Sequence, residues 1–381
     1  MLDGTNVALG ITGSVAAVTV VELAHELGRR GASVRAFMTE SARGIVHPDA
    51  VTYATDAPVV TELTGAVEHV ECCGKDGWAD VCLIAPATAN TIGKIAGGID
   101  DTPVTTMATT ALGADVPMVV APAMHEGMFD HPGVAENLDV LADWGVSVVP
   151  PRIEEGKAKI ASAETIALET ARASGPSPME GRTIVVTSGP TVEPIDPVRV
   201  LTNRSSGRTG RAVAKGIYAR GGDVILLHRE GEVPYADVES VETAAEMTGA
   251  ALEAAGQADA LVSAAAITDY TLDRAAEKLP SGESITLELE PTPKLVEAVR
   301  EQTDLPIVGF KLESDPEALP ESARDLLGRT DMAFVVANET TALGGEETSV
   351  EFVYGDRIDS FSGTKTDLGL EVADRLGAVL D

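Results

Sequence analysis

One plan occurs twice in this chain of 381 residues, and it fixes the class of fold. Near the start, NVALGITG is an apolar run ending in glycines, followed by SVAAVTVVELAHELGRRG, an amphipathic stretch closed by glycine. Beyond residue 181, RTIVVTSG is again an apolar run ending in glycine, and GRAVAKGIYARGG again a glycine-closed helical stretch. A strand, a glycine turn and a helix in repeated succession predict parallel strands with crossover helices. ASVRAFMT, ADVCLIAPATANTIGKIAGG, DVPMVVAPAM and GVSVVPP continue the first series; DVILLHR, ADALVSAAAITDY, LPIVGFKLES and MAFVVANE continue the second. SVEFVYGDRIDSFSG reads as an antiparallel hairpin, and KTDLGLEVADRLGAVL as a helix. The length is too great for one ordinary domain. The expectation is an α/β protein of two doubly wound parallel-sheet domains, 1–174 and 182–381. The small, polar, proline-bearing segment 175–181 joins them as a linker.

Charge narrows the partners. The net charge is −32, and both halves are acidic, with 10 bases against 23 acids in residues 1–175 and 18 against 37 beyond. Such a surface repels nucleic acid. Nine lysines against nineteen arginines, with this acidity, resemble proteins of salt-loving microbes. No run of 18 apolar residues exists, and MLDGTNVALG is no export signal, so no membrane partner and a cytoplasmic location are expected. Three clustered cysteines (Cys72, Cys73, Cys82) suit a reducing compartment and lack zinc-ligand spacing.

In parallel sheets, ligands bind where strand C-termini meet helix N-termini. Gly13 and Ser14 stand at such a point, where N–H groups and a hydroxyl hold phosphate; a plain N-cap turn is the equal alternative. Thr88 and Asn90 follow VCLIAPA, and Thr105 and Thr106 follow GIDDTPV. One such residue is most simply a cap, but three clusters on one sheet edge favour a mononucleotide. His69 alone is most simply a surface residue. In the second half, SGPTVEPIDPVRVLTNRSSGRTGRA carries four arginines against Glu193 and Asp196, a basic island in an acidic chain. Asn203, Ser205, Ser206 and Gly207 precede a helix start reinforced by Arg208 and Arg211, which suits a phosphate ester better than surface ion pairing. Asp269 ends another strand, and Lys278 follows in RAAEKLPSGE, a segment placed to act as a lid over polyphosphate.

Together these residues resemble the bifunctional phosphopantothenoylcysteine decarboxylase/phosphopantothenate–cysteine ligase family of coenzyme A biosynthesis. The first half is similar through GITGSVAA, EHV, APATANTIGKIAGGIDDTPVTT and APAMHEGM. The second is similar through VTSGPTVEPIDPVRVLTNRSSGRTG, SAAAITDY, EKL, VGFKLES and VANE. The resemblance implies a flavodoxin-like FMN domain followed by a Rossmann-like ligase domain. It implies activation of 4′-phosphopantothenate by CTP with Mg2+, amide formation with cysteine, and flavin-dependent decarboxylation to 4′-phosphopantetheine. Gly13, Ser14, Thr39, Ala87, Thr88, Asn90 and Thr106 would hold FMN, with His69 catalytic. Ser263, Ala264, Ala265, Asp269, Lys278, Pro293, Lys294, Leu295, Val296, Phe310 and Arg329 would surround CTP, with Asp269 also at the metal. Asn203 and Lys278 are the implied catalytic residues of the ligase. Substrate contacts would come from His125, Met128, Lys157, Lys159, Arg199, Asn203, Ser205, Ser206, Gly207 and Arg208. The family also implies a homo-oligomer of ligase dimers and decarboxylase trimers.

Three departures from the family's pattern stand out. His125 replaces an asparagine, EEGKAKIAS replaces a cysteine-bearing flap, and Asp325 stands near a nucleotide-contacting lysine of bacterial relatives, leaving ATP open beside CTP. Cys72 or Cys73 taking over from the flap cysteine is one alternative; burial as small apolar residues is the simpler one. An active ligase fused to a flavin-binding domain without decarboxylase activity is the other functional reading. A nicotinamide dehydrogenase leaves the arginine stretch unexplained.

Overall fold

The computed structural model describes every residue except 283, 314, 316, 340–344 and 346, together with the backbone alone of 339. Ser314, which ends VGFKLES, therefore lies outside the described residues. The chain forms two compact units, Met1–Gly175 and Pro176–Asp381.

In the first unit five parallel strands stand in the order Ser33–Met38, Asn6–Ile11, Val81–Ala87, Met118–Pro122, Ser147–Val148. By chain position this is 2-1-3-4-5, the flavodoxin-like order. Val81–Ala87 is buried along its whole length, as a central strand covered on both faces must be. The Val20–Arg29 helix buries Val20, Leu23, Ala24 and Leu27, the i, i+3, i+4, i+7 stripe its sequence encodes. The turn before it differs from expectation. Val15–Thr19 is a 3-10 turn, entered through an Ala17 N–H bond to the Ser14 carbonyl at 2.8 Å. A separate three-stranded antiparallel sheet joins Met124–His125, Lys157–Lys159 and Arg152–Glu154. Its tight turn is Glu155–Gly156, with φ of 53° and 69°, the left-handed pair that two-residue hairpin loops require.

The second unit has an eight-stranded sheet. Asp237–Ser240, Asp223–His228, Thr183–Thr187, Ala260–Ser263, Ile307–Glu313 and Phe334–Glu339 run parallel, in the Rossmann order 3-2-1-4-5-6. The expected hairpin, Glu347–Val353 with Ile358–Thr364, extends this sheet antiparallel rather than standing apart. The basic stretch read as a loop also contains a short hairpin, Val192–Pro194 against Val200–Thr202. Segment 176–181 packs on this unit instead of hanging between domains: Met179 is fully buried and its N–H reaches the Arg220 carbonyl at 3.0 Å. The Arg208–Ala219 helix crosses the Lys365–Leu380 helix at Gly216 and Gly369. A Cβ on Gly216 would run into the Gly369 backbone, and one on Gly369 into the Ala212 backbone.

Candidate functional site

Each sheet reverses its strand order at one point, and there two strand tips part to leave a crevice. In the first unit the tips follow Asn6–Ile11 and Val81–Ala87. Buried Thr12 joins them: its hydroxyl donates to the Pro86 carbonyl at 2.6 Å and accepts the Thr88 N–H at 3.1 Å. A cavity of about 460 Å³ opens beside them, lined among others by Gly13, Ser14, Thr39, Thr88, Asn90 and Met128. The hydroxyls do cap their helices. Ser14 accepts from Ala16 N–H, Thr39 from Ala42 N–H and Thr88 from Thr91 N–H, each at 3.3 Å. Capping and ligand binding are thus one arrangement, because each capped terminus faces the same space. Gly13 is required here, since a Cβ would strike Ser41. Thr102 and Thr105, joined in a capping box, line the cavity; Thr106 does not, and donates instead to the Asp100 carbonyl at 2.9 Å. Ala87 is buried within its strand. His69 lies on the Glu68–Cys73 helix away from the cavity walls, with Nδ1 buried and without a hydrogen-bond partner.

A second cavity, about 480 Å³, lies on the other side of Ser14 under the three-stranded sheet. Its walls combine Val15, Val18 and Met124 with His125, Lys157 and Lys159. His125 Nδ1 accepts the Gly127 N–H at 3.3 Å, so this ring caps the short helix that follows it. Lys159 pairs with Glu154 at 3.0 Å and Glu155 at 3.1 Å, and these two carboxylates raise its pKa.

The cysteines take the bland reading. Cys72, Cys73 and Cys82 are buried in the apolar core beside Ile84, Ile92 and Met107. The contact with Cys73, together with burial, pushes the Cys72 thiol far up. For Cys73 the Cys72 contact pulls down, but Cys82 and burial win and push it up as well. Such thiols are poor nucleophiles. A thiol reagent is expected to leave all three unlabelled in the native protein and to label three per chain after denaturation, counted by mass spectrometry.

In the second unit the crevice lies between the tips of Thr183–Thr187 and Ala260–Ser263. Ala265 N–H donates to the Thr187 hydroxyl at 3.1 Å and Ala266 N–H to the Gly189 carbonyl at 2.9 Å, stitching the tips together. Asn203 is drawn onto this seam: Nδ2 donates to the Ala266 carbonyl at 2.5 Å, and Oδ1 accepts the Ser205 N–H at 3.0 Å. The Ser205 hydroxyl accepts from Gly207 N–H at 3.3 Å, and Gly207, at φ 67°, turns the chain into the Arg208–Ala219 helix. A Cβ on Gly207 would crowd Gly189 and the Arg211 guanidinium, each within 3.0 Å, so the approach is reserved for glycine.

The arginines divide. Arg204 and Arg208 are exposed. Arg211 is engaged by Glu230 at 2.6 Å and the Ser206 carbonyl at 2.9 Å. Arg199 is tied inward, to Asp196 at 2.6 Å and the Leu279 carbonyl at 3.1 Å.

Beside the seam is a cavity of about 290 Å³, whose walls include Ala265, Asp269, Lys294, Phe310 and Arg329. Pro293, Leu295 and Val296 complete the segment expected there. Ser263 and Ala264 stay in or just after their strand, and exposed Lys278 is not on the walls. Asp269, expected at a metal, accepts from Lys294 Nζ at 2.6 Å, and among the described residues no group of three His, Cys, Asp or Glu stands together to hold an ion. These residues do not by themselves fit a metal cage. Arg329 faces Glu297 at 3.5 Å.

Sequence reasoning passed over Thr12, Thr102 and the two buried acids Glu193 and Asp196. Thr12 and Thr102 carried a signal, since polar residues beside strand or helix ends are rarely idle.

Residues 1–173 match the family model described as Flavoprotein, and residues 179–379 that described as DNA/pantothenate metabolism flavoprotein C-terminal domain. The chain is 46% identical over 365 residues to the Coenzyme A biosynthesis bifunctional protein CoaBC of Thermococcus kodakarensis, covering 93% of this chain and 90% of that one. Proteins of the same description match from Methanocaldococcus jannaschii (33% over 389 residues, 99% and 94% covered) and Bacillus subtilis (32% over 412 residues, 100% and 98%).

Proposed function

The chain belongs to the family of bifunctional coenzyme A biosynthesis proteins, combining phosphopantothenate–cysteine ligase with flavin-dependent phosphopantothenoylcysteine decarboxylase, and from that premise we propose how its residues divide the work. The observation that carries the division is that each unit has its own cavity beyond the C-terminal ends of its parallel strands. In the first it lies at the reversal of strand order, where the capped helix starts after Ser14, Thr39 and Thr88 converge. In the second it lies beside the segment that follows Ala260–Ser263, at the start of the Leu295–Gln302 helix.

In residues 1–174, the cradle at Gly13, Ser14, Thr39, Thr88 and Asn90 fits FMN: hydroxyls and N–H groups face the space, and Gly13 keeps it open. Bound there, FMN supplies the two-electron oxidant that makes carboxylate loss from the cysteinyl group easy. The adjoining cavity under the Lys157–Lys159 strand receives the acyl-cysteine, with Lys157 toward its phosphate and His125 and Met128 along its length.

In residues 182–381, the triphosphate of CTP enters between Lys294 and Arg329, with Phe310 beside the base. Both cations are paired with carboxylates, so the incoming phosphates exchange one anionic partner for another. Phosphopantothenate seats its phosphate at the Gly207 helix start near Arg208. Its carboxylate attacks the α-phosphate and pyrophosphate leaves. Cysteine's amine then attacks the acyl carbon, CMP leaves, and Asn203 stands where the acyl oxygen gains charge. Mg2+, for which the described residues form no cage of their own, would have to arrive with the nucleotide and would offset part of its charge.

The test supplies phosphopantothenate and cysteine with CTP or ATP, following pyrophosphate and CO2 separately. Pyrophosphate with CTP supports the reading, pyrophosphate with ATP alone changes the nucleotide, and neither removes the ligase assignment. CO2 release from pure phosphopantothenoylcysteine decides the decarboxylase half.

The homo-oligomer of ligase dimers and decarboxylase trimers is proposed from the family likeness alone. The net charge of −32 supports a cytoplasm of high salt. At 1 M salt the screening length falls to about 3 Å, relieving repulsion among carboxylates. The melting temperature is expected to climb as KCl rises from dilute buffer toward molar concentration; a curve that falls with KCl removes the halophilic reading. No helix among the described residues is long and apolar enough to cross a membrane.

A further inference from the structure

The basic stretch contains just two acids, and both are hidden: Glu193 is 3% exposed and Asp196 2%. Each collects donors from segments distant in the chain. Glu193 Oε1 accepts from Ala244 N–H at 2.8 Å and the Thr268 hydroxyl at 3.2 Å, and Oε2 accepts from the Thr271 hydroxyl at 2.7 Å. Asp196 accepts the N–H groups of Val198 and Arg199 at 2.7 Å each, the Leu279 N–H at 3.1 Å, and the Arg199 guanidinium at 2.6 Å. Thr268 and Thr271 flank Asp269, and Leu279 follows Lys278. The hairpin bearing both acids leads through Thr202 directly to Asn203.

A carboxylate suits this position, because its two oxygens offer about four acceptor sites and gather N–H and O–H groups from separate segments. Burial pushes the Asp196 carboxyl up, but the three backbone N–H groups and the Arg199 charge outweigh it and hold it down at about 2.

We propose that Glu193 and Asp196 are the positioning residues of the ligase: Glu193 fixes the strand tip that carries Asp269, and Asp196 fixes the segment from which Lys278, exposed and off the cavity walls, reaches toward the nucleotide phosphates, both in register with Asn203. The inference rests on the ligase reading above. It assigns a job to acids that touch no substrate, and it explains why a basic stretch retains them.

The test uses the full chain carrying Glu193→Gln, Asp196→Asn or Thr271→Val, the last removing one partner while sparing the carboxylate. Pyrophosphate release reports the ligase, CO2 release from phosphopantothenoylcysteine reports the untouched unit, and thermal unfolding reports folding. Asp196→Asn is expected to raise the nucleotide KM about tenfold, as loss of a hydrogen bond to a charged group would. Glu193→Gln is expected to lower kcat up to about 10²-fold, the cost of a misplaced site, and Thr271→Val to lower it less. CO2 release should remain at the wild-type rate. Folded variants with wild-type kcat and KM, whatever their melting temperature, reduce the two acids to braces and overturn the proposal. If Glu193→Gln does not fold, wild-type kinetics in Thr271→Val overturns the Glu193 half. A wild-type chain that releases no pyrophosphate overturns the ligase reading instead.

Discussion

Changing Asn203 to aspartate is expected to lower ligase turnover about 10²–10³-fold, the usual cost of removing one preorganised donor from a developing oxyanion. The Asn203 amide uses both ends: Nδ2 donates to the Ala266 carbonyl at 2.5 Å and Oδ1 accepts from Ser205 N–H at 3.0 Å. Aspartate keeps the acceptor but sets a second oxygen against the Ala266 carbonyl, where two acceptors repel. The seam between the strand tips loosens, and no donor remains for the acyl oxygen. Pyrophosphate release without cysteine, compared with full amide formation, shows which half-reaction suffers. Flavin absorbance and CO2 release from supplied phosphopantothenoylcysteine should stay unchanged. Wild-type amide formation by this variant would take Asn203 out of the chemistry.

The second large effect concerns stability. Gly216→Val is expected to destabilise the ligase unit by about 3 kcal/mol, the upper part of the range for overpacking a filled interior. For a unit of this size that is a fall in melting temperature of about 6–12 °C. The valine side chain has no room, because the atoms facing Gly216 are backbone atoms of Gly369, which cannot rotate away. The helix displaced is the one whose start at Gly207 forms the phosphate cradle, so ligase KM should rise before the unit melts. Calorimetry should show one transition moved and the other in place. A single unmoved pair of transitions would mean the helices can part at little cost.

The alternation of apolar runs and glycine-closed helices was enough to read the α/β class and the position of each strand tip. Strand order was not legible, since nothing in RTIVVTSG says that ADALVSAAA will lie beside it; pairing is decided by which apolar faces meet. The short hairpin at Val192–Thr202 was hidden within a stretch of three prolines and four arginines, because it is held by backbone bonds and by buried carboxylates rather than by apolar alternation. Glu193 and Asp196 entered the sequence reading only as a count against four arginines, and a count of charges carries no information on burial. Thr105 and Thr106 illustrate the finest limit: adjacent residues of one helix point to different sides, and only the first meets the cavity. The pair at Lys294 and Asp269 was likewise out of reach, because it joins positions 25 residues apart across a turn.

The crossing at Gly216 and Gly369 also sets an order of events on the ribosome. The first unit, Met1–Gly175, is compact in itself, so it can close and take up its flavin while the rest is still being made. The helix behind the phosphate cradle is different: its support arrives with Lys365–Leu380, some 150 residues after Gly216 has emerged. Until then the Arg208–Ala219 helix presents a bare glycine groove to whatever is nearby. A stalled nascent chain would therefore carry a finished decarboxylase unit and an unfinished ligase unit, and chaperone contacts should concentrate on the second.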